Sequence, residues 1–431
     1  MNHEPQVQMG MDIERVPADF PVDFCLLTHR DRQYVGYYDF QRRMTVASRT
    51  LDSNAWQYHT LPSQVGWDSH NYVTMAIDDN ACVHLSGNMH CKKLVYFRTA
   101  KPWEIASFEK IDAMTGMDEE KCTYPKFMSG AEGELIFHYR DGSSGNGREI
   151  YNVYDLKTGT WRRLLDRPLA DGQGQRNPYM CDPLCGPDGY FHVCWVWRDT
   201  PDCTTNHDLS YARSRDLIHW GTIDGTPVEL PFLIGTKGLI VDPVPVNGGI
   251  INGSQRVGFD SKKRVLVSYH KFDGNGKTQA YVARFERGAW VSRQVSDWDY
   301  RWAFEGLGAI VSEIVLGAVK RWPDGNLALP YWHVKYGEGH LIIDDEDLHP
   351  LGATTDYPER PPRLCTPESE FPGVQVRWAD DLGSEYGDRY VLRWETLPAN
   401  RDRARSGPLP EPGMLRLYQL VPGEEQHGRS Q

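Results

Sequence analysis

Four side chains suited to moving a proton and offsetting a negative charge fall in short, distinctive stretches. Asp68-Ser69-His70-Asn71 supplies one imidazole, and Ser86-Gly87-Asn88-Met89-His90 supplies a second. Thr123-Tyr124-Pro125 supplies a phenol, and Tyr139-Arg140-Asp141 places a guanidinium before the glycine-rich run Gly142-Ser143-Ser144-Gly145-Asn146-Gly147. One reaction uses this set naturally, β-elimination on a uronic acid sugar. The C5 proton of a uronate is weakly acidic because the neighbouring carboxylate is already charged. An arginine paired with that carboxylate offsets the charge and stabilises the enolate-like intermediate. An imidazole or phenol removes the proton, and another protonates the departing O4.

The elements that must position these groups read as strands. Tyr72–Ile77 and Cys82–Ser86 form a hairpin about the turn Asp78-Asp79-Asn80, where Asp and Asn tolerate turn geometry. His70 then opens one strand and His90 follows the next, so both imidazoles reach one sheet edge. Tyr124 precedes Pro125, which predicts extended backbone at the tyrosine. The glycine-rich run after Arg140 is a hairpin loop or a close backbone approach to a ligand; with no helix after it and no lysine of the right kind, it is not a phosphate loop. Arg140, His270 and Trp332 occupy equivalent offsets in successive units, which predicts that they face a common mouth. Asn88, Arg256, His270 and Lys271 are candidate substrate contacts, with Asn206-His207 and Arg301 behind them.

A strand–turn–strand pattern recurs about every sixty residues along most of the chain. Turns such as Pro187-Asp188-Gly189 and Pro323-Asp324-Gly325 lead into apolar, aromatic strands. About seven such units, each too small to bury its own faces, predict an all-β, seven-bladed β-propeller. The propeller is expected over residues 21–420, with a polar lead at 1–20 and a frayed polar tail at 421–431. Two segments, from Thr99 to Cys122 and from Asp344 to Pro372, read as long surface loops.

With 431 residues, 40% of them hydrophobic and 25% charged, the chain is globular. Aromatics make up 12%, a density that suits both a β-protein and ring stacking on sugars. A net charge of -12 speaks against a nucleic-acid binder. No run is apolar enough for a membrane span, and the polar start shows no export signal. A cytoplasmic setting with reduced thiols is therefore the expectation for the 9 cysteines. Cys181, Cys185, Cys194 and Cys203 are spaced more loosely than a zinc ribbon.

Taken together, the four motifs resemble those of the BNR-repeat propeller polysaccharide lyases, a family that includes ulvan lyases and L-rhamnose-α-1,4-D-glucuronate lyases. The likeness extends to Arg393-Trp394-Glu395 and Asn400-Arg401-Asp402 near the end. It implies a propeller that cleaves a rhamnose–uronate linkage in an acidic oligosaccharide or polysaccharide, with no nucleic acid or membrane partner. It places His70, His90, Tyr124 and Arg140 at the catalytic positions, with Arg140 on the carboxylate, Tyr124 and His70 as the acid/base pair, and His90 supporting or sharing that role, the division among the three left open. Without an export signal, an oligosaccharide or chain end is the expected substrate. The chemistry requires no cofactor, and a structural calcium or zinc ion is compatible with the likeness. Two rivals remain open. A propeller glycoside hydrolase, α-L-rhamnosidase-like, would need paired carboxyl groups, for which Asp68, Asp182, Asp242 and Glu305 are candidates, or would work through one histidine. A non-catalytic sugar-binding propeller would need neither Tyr124 nor Arg140. Ser214-Arg215-Asp216 and Trp220 match a turn that stabilises propeller blades.

Overall fold

Alternating short apolar strands and tight turns leave the chain one way to bury both faces of each sheet, which is to pack sheet against sheet. The computed structural model describes residues 4–355, 358–383 and 389–422. They form an all-β propeller of seven antiparallel sheets, and the helical segments among the described residues are three short 3-10 turns. The first strands of neighbouring sheets lie side by side around the centre, Cys25–His29 next to Val73–Ile77 and Val73–Ile77 next to Cys122–Ser129.

The hairpin between the two histidine motifs forms as expected. Val73–Ile77 pairs with Val83–Gly87, with Val73 opposite Gly87 and Ile77 opposite Val83. Asp78 accepts the amide hydrogen of Cys82 at 2.8 Å and closes the turn. His90 then starts a short strand, His90–Lys92, that leaves this sheet and pairs with Cys122–Ser129 of the next, His90 opposite Thr123. That crossing joins the second histidine directly to the tyrosine motif.

The polar lead is not separate from the propeller. Gln6–Val16 is a strand hydrogen-bonded to Gly413–Val421, the last strand of the chain, and completes the sheet that holds Gln375–Asp380 and Arg389–Thr396. Val7, Met9, Met11 and Ile13 alternate with polar residues in this stretch, so a period-two signal was present although no apolar run was. Of the expected tail, Val421 ends that last strand, and residues 423–431 lie outside the described residues. The two expected long loops also carry strands, Phe108–Lys110 and Pro350–Thr354, at the outer edges of their sheets.

The second strand of a sheet is packed from both sides. Every residue of Phe191–Arg198 is buried, and Trp195 stacks on Phe232 at 5.3 Å, a contact contributing roughly 0.5–1.5 kcal/mol beyond the area buried. The Ser214–Trp220 turn behaves as a blade stabiliser. The Ser214 hydroxyl donates to the His219 carbonyl at 2.8 Å, Asp216 accepts the amides of Ile218 and His219, and Trp220 is buried.

Candidate active site

Segments belonging to several consecutive sheets converge on one cavity of about 300 Å³. His70, His90, Tyr124, Tyr179, Arg198 and Arg256 supply its polar wall, and Trp302, Ile310 and Val315 face them. The sequence therefore placed three of its four catalytic candidates in one site.

Asp68 organises the histidines. Its Oδ1 accepts the His70 amide at 3.0 Å and pairs with His70 Nδ1 at 2.8 Å, while its Oδ2 pairs with His90 Nδ1 at 2.5 Å. The imidazole rings lie 4.2 Å apart. Both Nδ1 atoms are engaged, no hydrogen bond is made to either Nε2 among the described residues, and both rings line the cavity. Burial opposes ionisation of Asp68, but its hydrogen bonds to His70 and His90 and their charge hold the carboxyl well below the usual range. His70 also faces Asp402 Oδ2 at 3.4 Å. Burial pulls the His70 titration down, yet the hydrogen bonds to Asp402 and Asp68 outweigh it and raise it to about 9.

Tyr124 does not have the extended backbone that Pro125 predicts. Its φ is 57°, in the left-handed region. A break in the strand register between Thr123 and Lys126 accommodates the irregularity and turns the phenol out of the pleat. Such backbone carries roughly 1–3 kcal/mol of strain, which a fold retains where the side chain's aim matters. Asn88 and Cys91, on either side of His90, are also left-handed, with φ of 55° and 53°. The Tyr124 ring lies 5.8 Å from His70 and 6.5 Å from His90. Burial and the neighbouring Tyr179 push the phenol's titration up, so it holds its proton, while Arg140 and Arg198 pull the other way.

Arg140 does not line the cavity. It is fully buried behind Tyr124, its guanidinium carbon 4.9 Å from that ring and 5.8 Å from Tyr179. Nη2 donates to Thr123 Oγ1 at 3.0 Å, and Nε and Nη1 have no protein partner. Arg140 and His270 miss the cavity because the strands that carry them are covered on both faces at those positions. His270 is likewise fully buried, its Nδ1 bonded to the Gly249 carbonyl at 2.9 Å, and Trp332, 39% exposed, does not line the cavity either.

Of the candidate substrate contacts, Arg256 reaches the cavity. Lys271 is instead tied to Asp242 at 2.5 Å. Asn88 donates to Ser63 Oγ and to the Gln64 carbonyl, so it is tied to the end of Gln57–Gln64 in the preceding sheet. Asn206 bonds to the Cys203 carbonyl, His207 lies between Asp199 and Asp208, and Arg301 bonds to the Gly276 carbonyl. The sequence reading missed Arg198, Tyr179 and the part played by Asp402. Arg198 ends its strand, which was the available signal. Its guanidinium bonds to neutral oxygens of Thr200, Pro201 and Asn252 and, like Arg256, has no carboxylate partner among the described residues. The hairpin after Arg140 contributes Ser144, whose hydroxyl meets Tyr179 Oη at 2.6 Å. Gly147 is required there, since a Cβ would lie 1.8 Å from Asn177 Oδ1.

The four cysteines considered for zinc do not converge. Cys181 and Cys194 lie 3.5 Å apart, Cys185 is exposed, and Cys203 lines the cavity. Among the described residues, Asp68, His70 and His90 are the one trio with metal-ligand atoms within 4.8 Å of one another. Both Asp68 oxygens are already bonded to the imidazoles, so the trio reads as a hydrogen-bonded network rather than a metal cage.

Buried His270 gives a stability prediction. Burial lowers its titration to about 4, partly offset by the bond to Gly249, whereas the unfolded chain takes up that proton near 6.5. Its contribution is fully present above pH 6.5 and is lost as the pH falls towards 4. The melting temperature should therefore drop between pH 7 and pH 4.5, and by less in His270→Gln; equal drops would remove His270 from the acid response.

The fold and the site define a β-propeller with a cavity walled by two histidines, two tyrosines and two arginines. The chain belongs to the BNR repeat-containing family, whose profile matches residues 32–298. It is similar to the short-isoform ulvan lyase of Alteromonas sp. (strain LOR), 26% identical over 144 residues, which cover 30% of this chain and 27% of that protein. It is also similar to the long-isoform ulvan lyase of Glaciecola sp. (strain KUL10), 34% identical over 59 residues, 14% of this chain and 6% of that one. The chain thus matches about a quarter or less of the length of these curated relatives. Among solved structures, polysaccharide lyase Uly1 superposes with a TM-score of 0.64 at 13% identity, covering 97% of this chain and 99% of that one. A PL25 ulvan lyase bound to -[GlcA(1-4)Rha3S]- gives 0.60 at 12% identity, covering 95% of each. At these identities the likeness is one of fold.

Proposed function

We propose that the protein is a lyase that cleaves a rhamnose–glucuronate linkage by β-elimination, acting on an acidic oligosaccharide or a chain end. One observation carries the reading: two imidazoles and a phenol share a cavity with Arg198 and Arg256, two arginines without a carboxylate partner among the described residues. The family membership and the ulvan lyases it resembles support the same chemistry. The seven sheets support a count of seven blades, with the first and last strands of the chain closing the ring.

Arg198 and Arg256 hold the uronate carboxylate, a task the sequence reading gave to Arg140. His90 Nε2 takes the C5 proton. Its Nδ1–H is directed to Asp68, which leaves the lone pair of the neutral ring at Nε2. The C5–H electron pair becomes the C4–C5 double bond, the C4–O4 bond breaks, and the Tyr124 hydroxyl protonates O4. The phenolate that forms lies beside buried Arg140, whose charge stabilises it. His70, held by two carboxylates, stays protonated beside the developing charge. This departs from the Tyr124–His70 pairing expected from the sequence, because a doubly paired imidazole is a poor base. The scheme runs on side chains alone.

A two-carboxylate hydrolase is disfavoured, since the cavity is lined by no Asp or Glu among the described residues. The deciding experiment incubates the protein with a rhamnosyl-glucuronate oligosaccharide and follows low-ultraviolet absorbance. A new C4–C5 double bond conjugated to the carboxylate absorbs there. Sugar release without that signal would mean hydrolysis, and no change would mean binding alone.

A further inference from the structure

His70 and His90 are chemically alike, adjacent and held by the same Asp68, yet their surroundings differ. The difference comes from Asp402, in the connection between Arg389–Thr396 and Gly413–Val421 of the closing sheet. Asp402 Oδ1 accepts the backbone amide and the hydroxyl of Ser69 at 3.3 and 3.1 Å. Its Oδ2 accepts the Ala309 amide at 2.8 Å and lies 3.4 Å from His70 Nδ1. One carboxylate thus joins the backbone beside His70 to Ala309, which lines the cavity.

The connection is built to hold that carboxylate in place. Arg401 and Asp402 are consecutive left-handed residues, with φ of 54° and 59°, a costly arrangement for non-glycine residues. The Arg401 amide donates to the Ala309 carbonyl at 3.0 Å, and its guanidinium donates to the Glu305 and Leu307 carbonyls. Gly308 packs against the Arg401 backbone so closely that a Cβ would lie 2.7 Å from its carbonyl oxygen. The strain at 401–402 is therefore held by bonds to the cavity wall.

We propose that Asp402 is a positioning residue that makes the two histidines unequal, committing His70 to the cationic form with Nε2–H towards the cavity and leaving proton abstraction to His90. The proposal rests on the lyase reading for its consequence and on geometry for its cause. Four groups face His70: Asp68 on its own segment, Asp402 from the closing sheet, His90 from the crossing strand and Tyr124 from the irregular strand. Two of them are carboxylates, whereas among the described residues His90 pairs with Asp68 alone. The raised titration of His70, to which Asp402 makes the larger hydrogen-bond contribution, agrees with this.

The test is Asp402→Asn, which keeps one acceptor oxygen, for either Ser69 or Ala309, and removes the charge. Imidazole NMR without substrate should show His70 titrating near 9 in the wild type and moving towards the ordinary 6.5 in the variant. The alkaline limb of the kcat profile should shift to lower pH with KM nearly constant, an effect a merely structural residue would not produce. An unchanged His70 titration in a folded variant would overturn the proposal. If the variant does not fold, a wild-type His70 titrating at or below 6.5 overturns it equally, and one near 9 upholds it. The NMR arm is independent of turnover, so an absent unsaturated product would count against the lyase reading and not against Asp402.

Discussion

Tyr124→Phe is expected to lower kcat by about 10²–10⁴-fold, the range for losing a positioned general acid. The Tyr124 hydroxyl has no hydrogen bond to the protein among the described residues, so its removal leaves no buried group unpaired. The ring keeps its place beside His70, Tyr179 and Arg140. Stability should therefore change by no more than about 0.5 kcal/mol. The loss should fall on kcat more than on KM, because the proton is needed only as the C4–O4 bond breaks. A substrate with a better leaving group at C4, such as an aryl uronide, depends less on protonation of O4 and should recover much of the rate. Full activity of Tyr124→Phe on the natural linkage would move the acid role to an imidazole.

Arg198→Met is expected to reduce kcat/KM by roughly 10²–10³-fold, the scale for losing a partly desolvated charge-assisted pair. Methionine retains much of the buried stem's packing, though the bonds to Thr200, Pro201 and Asn252 are lost, so melting must be measured alongside. A uronate methyl ester separates charge from shape. It has no carboxylate to neutralise and a more acidic C5–H, so the variant should lose far less on the ester than on the acid. Equal losses on both would show that Arg198 shapes the cavity without pairing with the carboxylate. Arg256, on the same cavity, should show the same acid-selective loss to a smaller degree if the two share the anion.

What was legible in the sequence was local. The Asp78 turn and the strands beside it follow from residue type and period, and they brought His70 and His90 together correctly. The sequence could also rank Tyr124 as a site residue, although Pro125 pointed to the wrong backbone. Pro125 describes an average local preference, whereas the register break at Thr123 and Lys126 depends on the partner strand. Arg140, His270 and Trp332 share an offset, but an offset carries no information about which strand is covered by neighbouring sheets. Burial decides their roles. Arg140 becomes a cation behind the phenol, His270 a neutral core group, and Trp332 stays outside the cavity.

Sequence alone determined the architecture class and which two histidines and tyrosine meet in the cavity, because alternation, turn residues and side-chain chemistry are encoded within a few neighbouring positions. Only the tertiary structure decided which cations meet the cavity, and that the two histidines are unequal. The Ser69–Asp402 bond spans 333 residues, and Arg198 comes into place from a different sheet. No local pattern specifies such distances, since they arise only when the closing sheet brings its last connection back to the mouth of the propeller.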